Sequence, residues 1–251
     1  MQTAWDYTHL ARAYVKRPNY SESVIQRLVE DAQPTSRACD VGAGVGHLTR
    51  MLGAHGLHVT AVEPNDAMRA IGQVQTDPGV AWVEGTGEAT GQPAGTFELV
   101  TFGSSFNVTD RKAALLEVRR ILRPGGTFAC LWNHRDLDDP IQARIEAIIG
   151  EHVPNYDYGT RRSDQTDVIN ASGLFEPPHY TEGTVVHRQA VTDVVEAWKS
   201  HATLARQAGE KGPAIIAEIG RYLLGRGTEA VDVPYTTRMW SARLRSVAAV
   251  D

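Results

Sequence analysis

The sequence predicts an α/β protein with a mostly parallel sheet covered by helices on both faces. Two observations carry that prediction. Short apolar runs bounded by glycine, proline or acidic residues alternate with segments whose apolar residues recur at helical spacing. The stretch Ala38-Cys39-Asp40-Val41-Gly42-Ala43-Gly44-Val45-Gly46 joins an apolar run to a helical pattern through three alternating glycines, and Glu63 closes the next apolar run. Parallel neighbours need crossover connections, and right-handed crossovers then fix their order.

The elements follow in order. Ser21-Glu22 opens a helix with Val24, Ile25, Leu28 and Val29 on one face, ended by Gln33-Pro34-Thr35. The glycine loop leads into a helix carrying Leu48, Met51 and Leu52. Leu57–Val62 reads as the second strand, and Pro64-Asn65-Asp66 starts a short helix with Met68 and Ile71. Val80–Val83 and Phe97–Phe102 are the third and fourth strands. Asp110 caps a helix with Ala114, Leu115, Val118, Ile121 and Leu122 facing inward, stopped by Pro124-Gly125-Gly126. Thr127–Trp132 is the fifth strand. The pattern changes after Asn133: helices are expected from Asp139-Pro140, near residues 164–172, from a Thr192 cap, and from Pro213 to Gly225, with strands at Thr181–Arg188 and Val231–Ala242. With no internal repeat or low-complexity linker, residues 1–251 read as one domain: an N-terminal lid and helix (1–35), a ligand-binding core (36–135), and late strands with a helical cap (136–251).

Composition narrows the function. A hydrophobic fraction of 42% suits a globular chain, and a net charge of −5 without a basic block argues against a nucleic-acid partner. No apolar run reaches membrane-spanning length, and the opening Met1–Asp6 lacks a signal-peptide pattern, so a cytoplasmic protein is expected. Cys39 and Cys130 sit within apolar strand patterns and read as reduced, buried thiols. No His, Cys and carboxylate set has metal-ligand spacing, so no metal is expected.

A glycine loop at a strand end, with a helix N-terminus behind it, lets a ligand approach the main chain closely. It is a poor dinucleotide cradle, because His47 occupies the position where the Gly-x-Gly-x-x-Gly fingerprint needs its third glycine. A carboxylate at Glu63 is placed to accept the hydroxyls of a ribose, which suits nicotinamide and adenosyl ligands alike. Five stretches then agree in order and spacing: Asp40–Gly46; Val62-Glu63-Pro64-Asn65 with Met68; Gly85-Thr86-Gly87-Glu88-Ala89; Phe97-Glu98-Leu99-Val100; and Leu122-Arg123-Pro124-Gly125-Gly126. Over about residues 5 to 135 the chain resembles the class I, seven-stranded S-adenosylmethionine-dependent methyltransferases that act on small molecules.

The resemblance implies a Rossmann-like doubly wound sheet of order 3-2-1-4-5-7-6 with the last strand antiparallel, and S-adenosylmethionine as cofactor. It implies that Gly42, Ala43 and Gly44 lie under the methionine and ribose, that Asp40 faces the amino group, and that Glu63 takes the ribose hydroxyls. Pro64 and Met68 would border the adenine, with Gly87 and Glu88 at its edge. Phe102 and Gly103 would line the fourth-strand end and Phe106 would close over the cofactor. Where Thr86 stands the family often has Asp, so an adenine-amino contact there is not implied. Trp5-Asp6-Tyr7 with Tyr14 and Arg17-Pro18 is similar to the family's N-terminal lid, with Tyr14 or Arg17 reaching the cofactor carboxylate and Tyr7 and Tyr14 facing the acceptor.

Methyl transfer is an in-line displacement in which alignment of the nucleophile is the enzyme's main contribution. A neutral amine needs no strong base, whereas a hydroxyl does. Asn107, near a point where many members of the resembled family have histidine, is no base, which favours an amine. His134 and His201 are the candidate bases. Phe106, Asn107, Trp132, His134, Trp198 and His201, with Tyr156 and Tyr158, are expected around a small-molecule acceptor. The lid is similar to that of N-methyltransferases of antibiotic pathways, which suggests secondary metabolism. O-methylation, a nicotinamide-dependent oxidoreductase and a non-catalytic adenosylmethionine-binding module are the alternatives. Pro177-Pro178-His179-Tyr180 is similar to a motif of nucleic-acid amino methyltransferases, but it lies far from the fourth-strand end where that motif works.

Overall fold

The computed structural model describes residues 8–33 and 37–245. After a 3-10 turn at Thr8–Leu10, the chain runs α1 (Ala11–Tyr14), α2 (Glu22–Ala32), β1 (Arg37–Val41), α3 (His47–Ala54), β2 (His58–Val62), α4 (Asp66–Gln75), β3 (Ala81–Val83), β4 (Phe97–Gly103), α5 (Arg111–Ile121) and β5 (Leu122–Arg135). The later part contains α6 (Pro140–His152), α7 (Thr166–Ala171), β6 (His179–Ala190), α8 (Val191–Lys199), α9 (Ala202–Ala208), α10 (Gly212–Leu224) and β7 (Ala230–Arg243). The seven strands form one sheet of order β3-β2-β1-β4-β5-β7-β6. The first five are parallel, and β7 runs antiparallel to both β5 and β6. This is the implied topology.

The period-two alternation of the strands sorts their side chains onto two faces. Cys39 and Val41 of β1, Val100 and Phe102 of β4, and Phe128, Cys130 and Trp132 of β5 pack with α5, Ile169 of α7 and Phe175. The intervening Ala38, Leu99, Ala129 and Leu131 pack with α2 and α3. A third apolar cluster joins α6, α8, α9 and α10 to Val231 and Val233 of β7, and this is the helical cap. Cys39 and Cys130 are both free and buried. Among the described residues no helix is long and apolar enough to cross a membrane.

Side-chain caps fix several helix starts. Asp110 accepts from the amides of Lys112 and Ala113, Asp139 from those of Ile141 and Gln142, and Asn65 from that of Met68. Three expectations need correction. Thr192 caps nothing: β6 runs to Ala190 and α8 begins directly at Val191, whose amide donates to the carbonyl of Glu229. α5 ends at Ile121 rather than at the Pro-Gly-Gly stretch, because Leu122 already pairs with Phe97 and the register shifts before Leu99 meets Thr127. Pro124-Gly125-Gly126 is therefore an irregularity inside β5, with Gly125 at φ 74. α9 had no counterpart in the predicted elements; its seven residues are too few for a periodic signal.

Candidate functional site

A cavity of about 650 Å³ opens at the carboxyl ends of β1, β2 and β4 and runs beneath the helical cap. Its floor is the glycine loop. The amides of Gly42 and Ala43 donate to the carbonyl of Val62, at 2.8 and 3.1 Å. Gly42, at φ 68, leaves no room for a side chain, since an added Cβ would lie 2.5 Å from Cβ of Ser105. Gly44, at φ 59, has open space on that side. The loop and the second strand are locked together through Glu63, whose Oε2 accepts from the Gly44 amide at 2.8 Å and whose Oε1 accepts from the Asn65 amide at 2.9 Å. Glu63 is 6% exposed, and burial raises its pKa against the pull of those two amides. A carboxylate has about four acceptor sites, so capacity remains for a ligand's hydroxyls.

Asp40 is fully buried between two hydroxyls, Thr49 Oγ1 at 2.7 Å and Thr101 Oγ1 at 3.1 Å. Burial pushes it up to about 6 despite these bonds. Holding a carboxylate here is costly unless a cation lies alongside. Ser104 follows β4 in the left-handed region at φ 61, held by its amide to the Leu131 carbonyl at 2.8 Å and its hydroxyl to that of Tyr20 at 3.1 Å. A non-glycine residue held so, at the mouth of a cavity, is the kind of strain that marks functional loops.

Of the residues named from sequence for the cofactor, Tyr14, Arg17, Asp40, Gly42, Ala43, Gly44, Glu63, Pro64, Met68, Gly87, Glu88, Phe102 and Gly103 all line the cavity. Phe106 does not. It is fully buried and packs edge-on against Phe102, with ring centroids 5.5 Å apart, and against Phe128 at 5.3 Å, so it is core. Of the acceptor candidates, His134, Trp198 and His201 line the cavity, whereas Asn107 and Trp132 do not. Trp132 points into the core beneath the sheet, and Asn107 Oδ1 accepts from its indole N–H at 2.9 Å. The pair explain each other, and neither faces a ligand. Tyr158 lines the cavity while Tyr156 packs on the cap cluster. Trp5, Asp6 and Tyr7 lie outside the described residues.

The two histidines are held neutral. Burial, reinforced by Arg161, Arg162 and Arg238, pushes His134 down to about 3. Burial and the charges of Arg17, Arg161, Arg135 and Arg162 push His201 well below its ordinary value. His134 Nε2 and His201 Nδ1 are buried with no hydrogen-bond partner. The His201 ring stacks on Trp198, 4.5 Å away and tilted 25°. Each unpartnered ring nitrogen can make one hydrogen bond to a ligand, donating or accepting according to its tautomer.

Sequence reasoning missed several contributors. His47 is one: Arg50 Nη2 lies 2.9 Å from its Nδ1, which assigns the proton to Nε2, and Nε2–H donates to the Tyr14 carbonyl at 3.0 Å. The residue that spoils the dinucleotide fingerprint thus fastens the N-terminal segment over the glycine loop. Arg17 continues that fastening, donating from Nε to Ser200 Oγ at 2.8 Å and from Nη2 to the Ser200 carbonyl at 2.7 Å. Arg135, Arg161 and Arg162 also line the cavity, as do Tyr20, Ser104 and Tyr235. An irregular stretch at 159–162 gives no periodicity from which Arg161 and Arg162 could have been placed. Among the described residues no group of three His, Cys, Asp or Glu is arranged to hold a metal ion.

Comparison with known proteins adds to this geometry. Residues 39–130 match the family described as "Methyltransferase domain". An uncharacterised methyltransferase of Mycobacterium tuberculosis is 35% identical over 120 residues, 48% of each chain. A ubiquinone/menaquinone biosynthesis C-methyltransferase of Methylobacterium nodulans is 38% identical over 110 residues, 40% of this chain and 44% of that one. The chain spans about half the length of the curated relatives it matches. A solved chain from Anaeromyxobacter dehalogenans superposes with a TM-score of 0.62 at 20% identity, covering 92% of this chain and 99% of that one. Phosphoethanolamine N-methyltransferase 2 of Haemonchus contortus, solved with S-adenosyl-L-methionine, gives 0.53 at 14% identity, covering 96% and 57%. At these identities the structural likeness is one of fold.

Proposed function

We infer, from a chain whose residues 39–130 match the methyltransferase-domain family and whose sheet has the class I order, that it is an S-adenosylmethionine-dependent methyltransferase acting on a small molecule. The observation that carries this is the continuity of one cavity from the glycine loop and Glu63 to Trp198 and His201 under the cap. A binding module would need only the first half. An enzyme needs both halves open to each other, and about 650 Å³ is within the range of cofactor and substrate sites.

The residues fit the cofactor. Glu63 retains acceptor capacity for two ribose hydroxyls, Gly44 leaves open space above the loop, and Asp40 is a buried carboxylate lacking a cation, as an ammonium group requires. When bound, the cofactor supplies a methyl group on a positively charged sulfur. Everything else falls to the chain. The cap and the segment fastened by His47 and Arg17 keep water out. The aromatic and histidine walls hold the acceptor in line with the loop. His134 and His201, being neutral, can hydrogen-bond the acceptor and orient it, while the burial that keeps them uncharged makes them weak bases. The preference for an amine drawn from Asn107 loses its support, since that side chain serves Trp132, and either acceptor atom suits the two rings. The nicotinamide alternative is disfavoured by the ring of His47 where the fingerprint needs a glycine.

The test is binding followed by turnover. S-adenosylhomocysteine should raise the melting temperature and NAD should not. Labelled methyl groups from S-adenosylmethionine should then appear on at least one member of an amine, phenol and acid panel. A shift with NAD alone would replace this reading with a dehydrogenase.

A further inference from the structure

The two ends of the cavity carry opposite charge. Asp40, Glu63 and Glu88 line the end at the glycine loop, and each is engaged: Asp40 by two threonine hydroxyls, Glu63 by two amides, Glu88 by the Asp110 amide at 2.7 Å. Arg135, Arg161 and Arg162 line the end under the cap, with Arg17 between the two. These cations are not matched. Among the described residues only Arg135 has a carboxylate partner, Glu146 at 2.5 Å, which does not itself line the cavity and also accepts from the Tyr158 hydroxyl. Arg161 has a long contact, 3.4 Å, to the Asn133 carbonyl, and Arg162 a similar one to the Arg135 carbonyl while lying 4.2 Å over the Tyr158 ring.

A guanidinium carries five N–H donors, and these two use few of them on the protein. Burial disfavours the charge of Arg161 and Arg162, and the neighbouring cations add to that. Glu146 and the Tyr158 hydroxyl offset this only in part at Arg162, and among the described residues no carboxylate does so at Arg161. A chain that places Arg161 and Arg162 on a cavity wall, with no carboxylate among the described residues in ion-pair contact with either, leaves room for an anionic ligand there. The cofactor's own carboxylate would take one such cation, and the family resemblance gives that role to Arg17, which lies 4.0 Å over the Tyr14 ring. Arg161 and Arg162 remain.

We propose that the methyl acceptor is an oxyanion, a carboxylate or phosphate ester, bound through Arg161 and Arg162 under the cap. That it is a methyl acceptor rests on the methyltransferase reading; that an oxyanion binds there rests on the arginines alone.

The experiment is calorimetric titration of the full chain, with and without saturating S-adenosylhomocysteine, at fixed ionic strength. The probes are succinate, tricarballylate and phenyl phosphate, each beside its neutral ester. The variants are Arg161→Met, Arg162→Met, the milder Arg161→Lys, and Arg27→Met, an exposed arginine paired with Asp31 far from the cavity. The expected result is saturable binding of at least one acid, with its neutral ester at least tenfold weaker. Arg161→Met and Arg162→Met should each lose at least tenfold, Arg161→Lys less, and Arg27→Met nothing. Which acids bind separates carboxylate from phosphate. Esters binding as tightly as acids, no acid binding at all, or unchanged affinity in both methionine variants would overturn the proposal. Arginine-dependent acid binding without any S-adenosylhomocysteine binding would leave the oxyanion site standing and remove the methyltransferase reading. S-adenosylhomocysteine binding with no acid binding would do the reverse.

Discussion

Replacing Glu63 by alanine tests the cofactor site at its most specific contact. The side chain is 6% exposed and spends one oxygen on each of the Gly44 and Asn65 amides, so the loop it bridges should loosen as well as lose its ligand contact. Hydrogen bonds to a charged group contribute about 1.5–3 kcal/mol each. Removing the acceptor for two ribose hydroxyls should therefore weaken S-adenosylhomocysteine by about 10²-fold or more. At a concentration 100 times its dissociation constant the ligand stabilises by about 2.7 kcal/mol, which for a chain of this size is a melting shift of roughly 5–10 °C. After a 10²-fold loss the same concentration gives only about 0.4 kcal/mol, or roughly 1–2 °C. Differential scanning fluorimetry, with each protein referred to its own ligand-free melting point, separates this from the lower baseline that two orphaned amides will produce. A variant that keeps the full shift would show that the ribose is held elsewhere, and the assignment of the glycine loop would go with it.

Other consequences follow from the same geometry. Asp40, pushed up to about 6 by burial, is protonated in the folded state over a range where the unfolded chain ionises it near 3.8, so its ionisation removes stability as pH rises through that window. Asp40→Asn should make urea stability flatter between pH 4 and 6 and raise it at pH 8 by roughly 1–3 kcal/mol, while weakening S-adenosylhomocysteine; a steeper profile would contradict the burial argument. His134 has the opposite sign. Its folded value of about 3 lies below the unfolded one, so stability is full above about 6.5 and declines as pH falls, and His134→Asn should shrink the acid loss by about 1–3 kcal/mol. Asn107→Ala should destabilise by about 1–3 kcal/mol by orphaning the Trp132 indole, yet leave the KM for the acceptor unchanged. If a proton must be removed from the acceptor, alanine at His134 or His201 should cut kcat by about 10²-fold; normal turnover in both would assign catalysis to alignment.

The sheet was legible in the sequence because its signals are local. Val41, Val62 and Phe102 end apolar runs, Asp110 and Asp139 are capping residues that cap, and Gly42 stands where only glycine fits. The glycine-loop half of the cavity was legible for the same reason, since its lining residues sit at strand ends and strand ends can be read. Phe106 and Asn107 misled because position beside a functional loop says nothing about which way a side chain points. The 3-10 turn after β4 sends Phe106 inward to Phe102 and Phe128, and leaves Asn107 facing the Trp132 indole.

The cap half was opaque for a deeper reason. Arg17, Arg135, Arg161 and Arg162 come from the N-terminal arm, the end of β5 and a 3-10 turn, and long-range contacts to the Asn133 and Arg135 carbonyls and to Ser200 bring these stretches to one cavity. A net charge of −5 conceals the cluster, because the acidic excess lies elsewhere on the chain. The distinction bears on function. In an α/β sheet the nucleotide end of a cavity is fixed by backbone turns that few residues can satisfy. The acceptor end is assembled from side chains on separate loops, each replaceable without disturbing the sheet. Specificity for the acceptor should therefore move with Arg161 and Arg162 while cofactor affinity stays with Glu63. Crossing Arg161→Met with Glu63→Ala puts this in numbers: independent effects within about 0.3–0.5 kcal/mol would show two separable half-sites, and strong coupling would show that the arginines reach the cofactor itself.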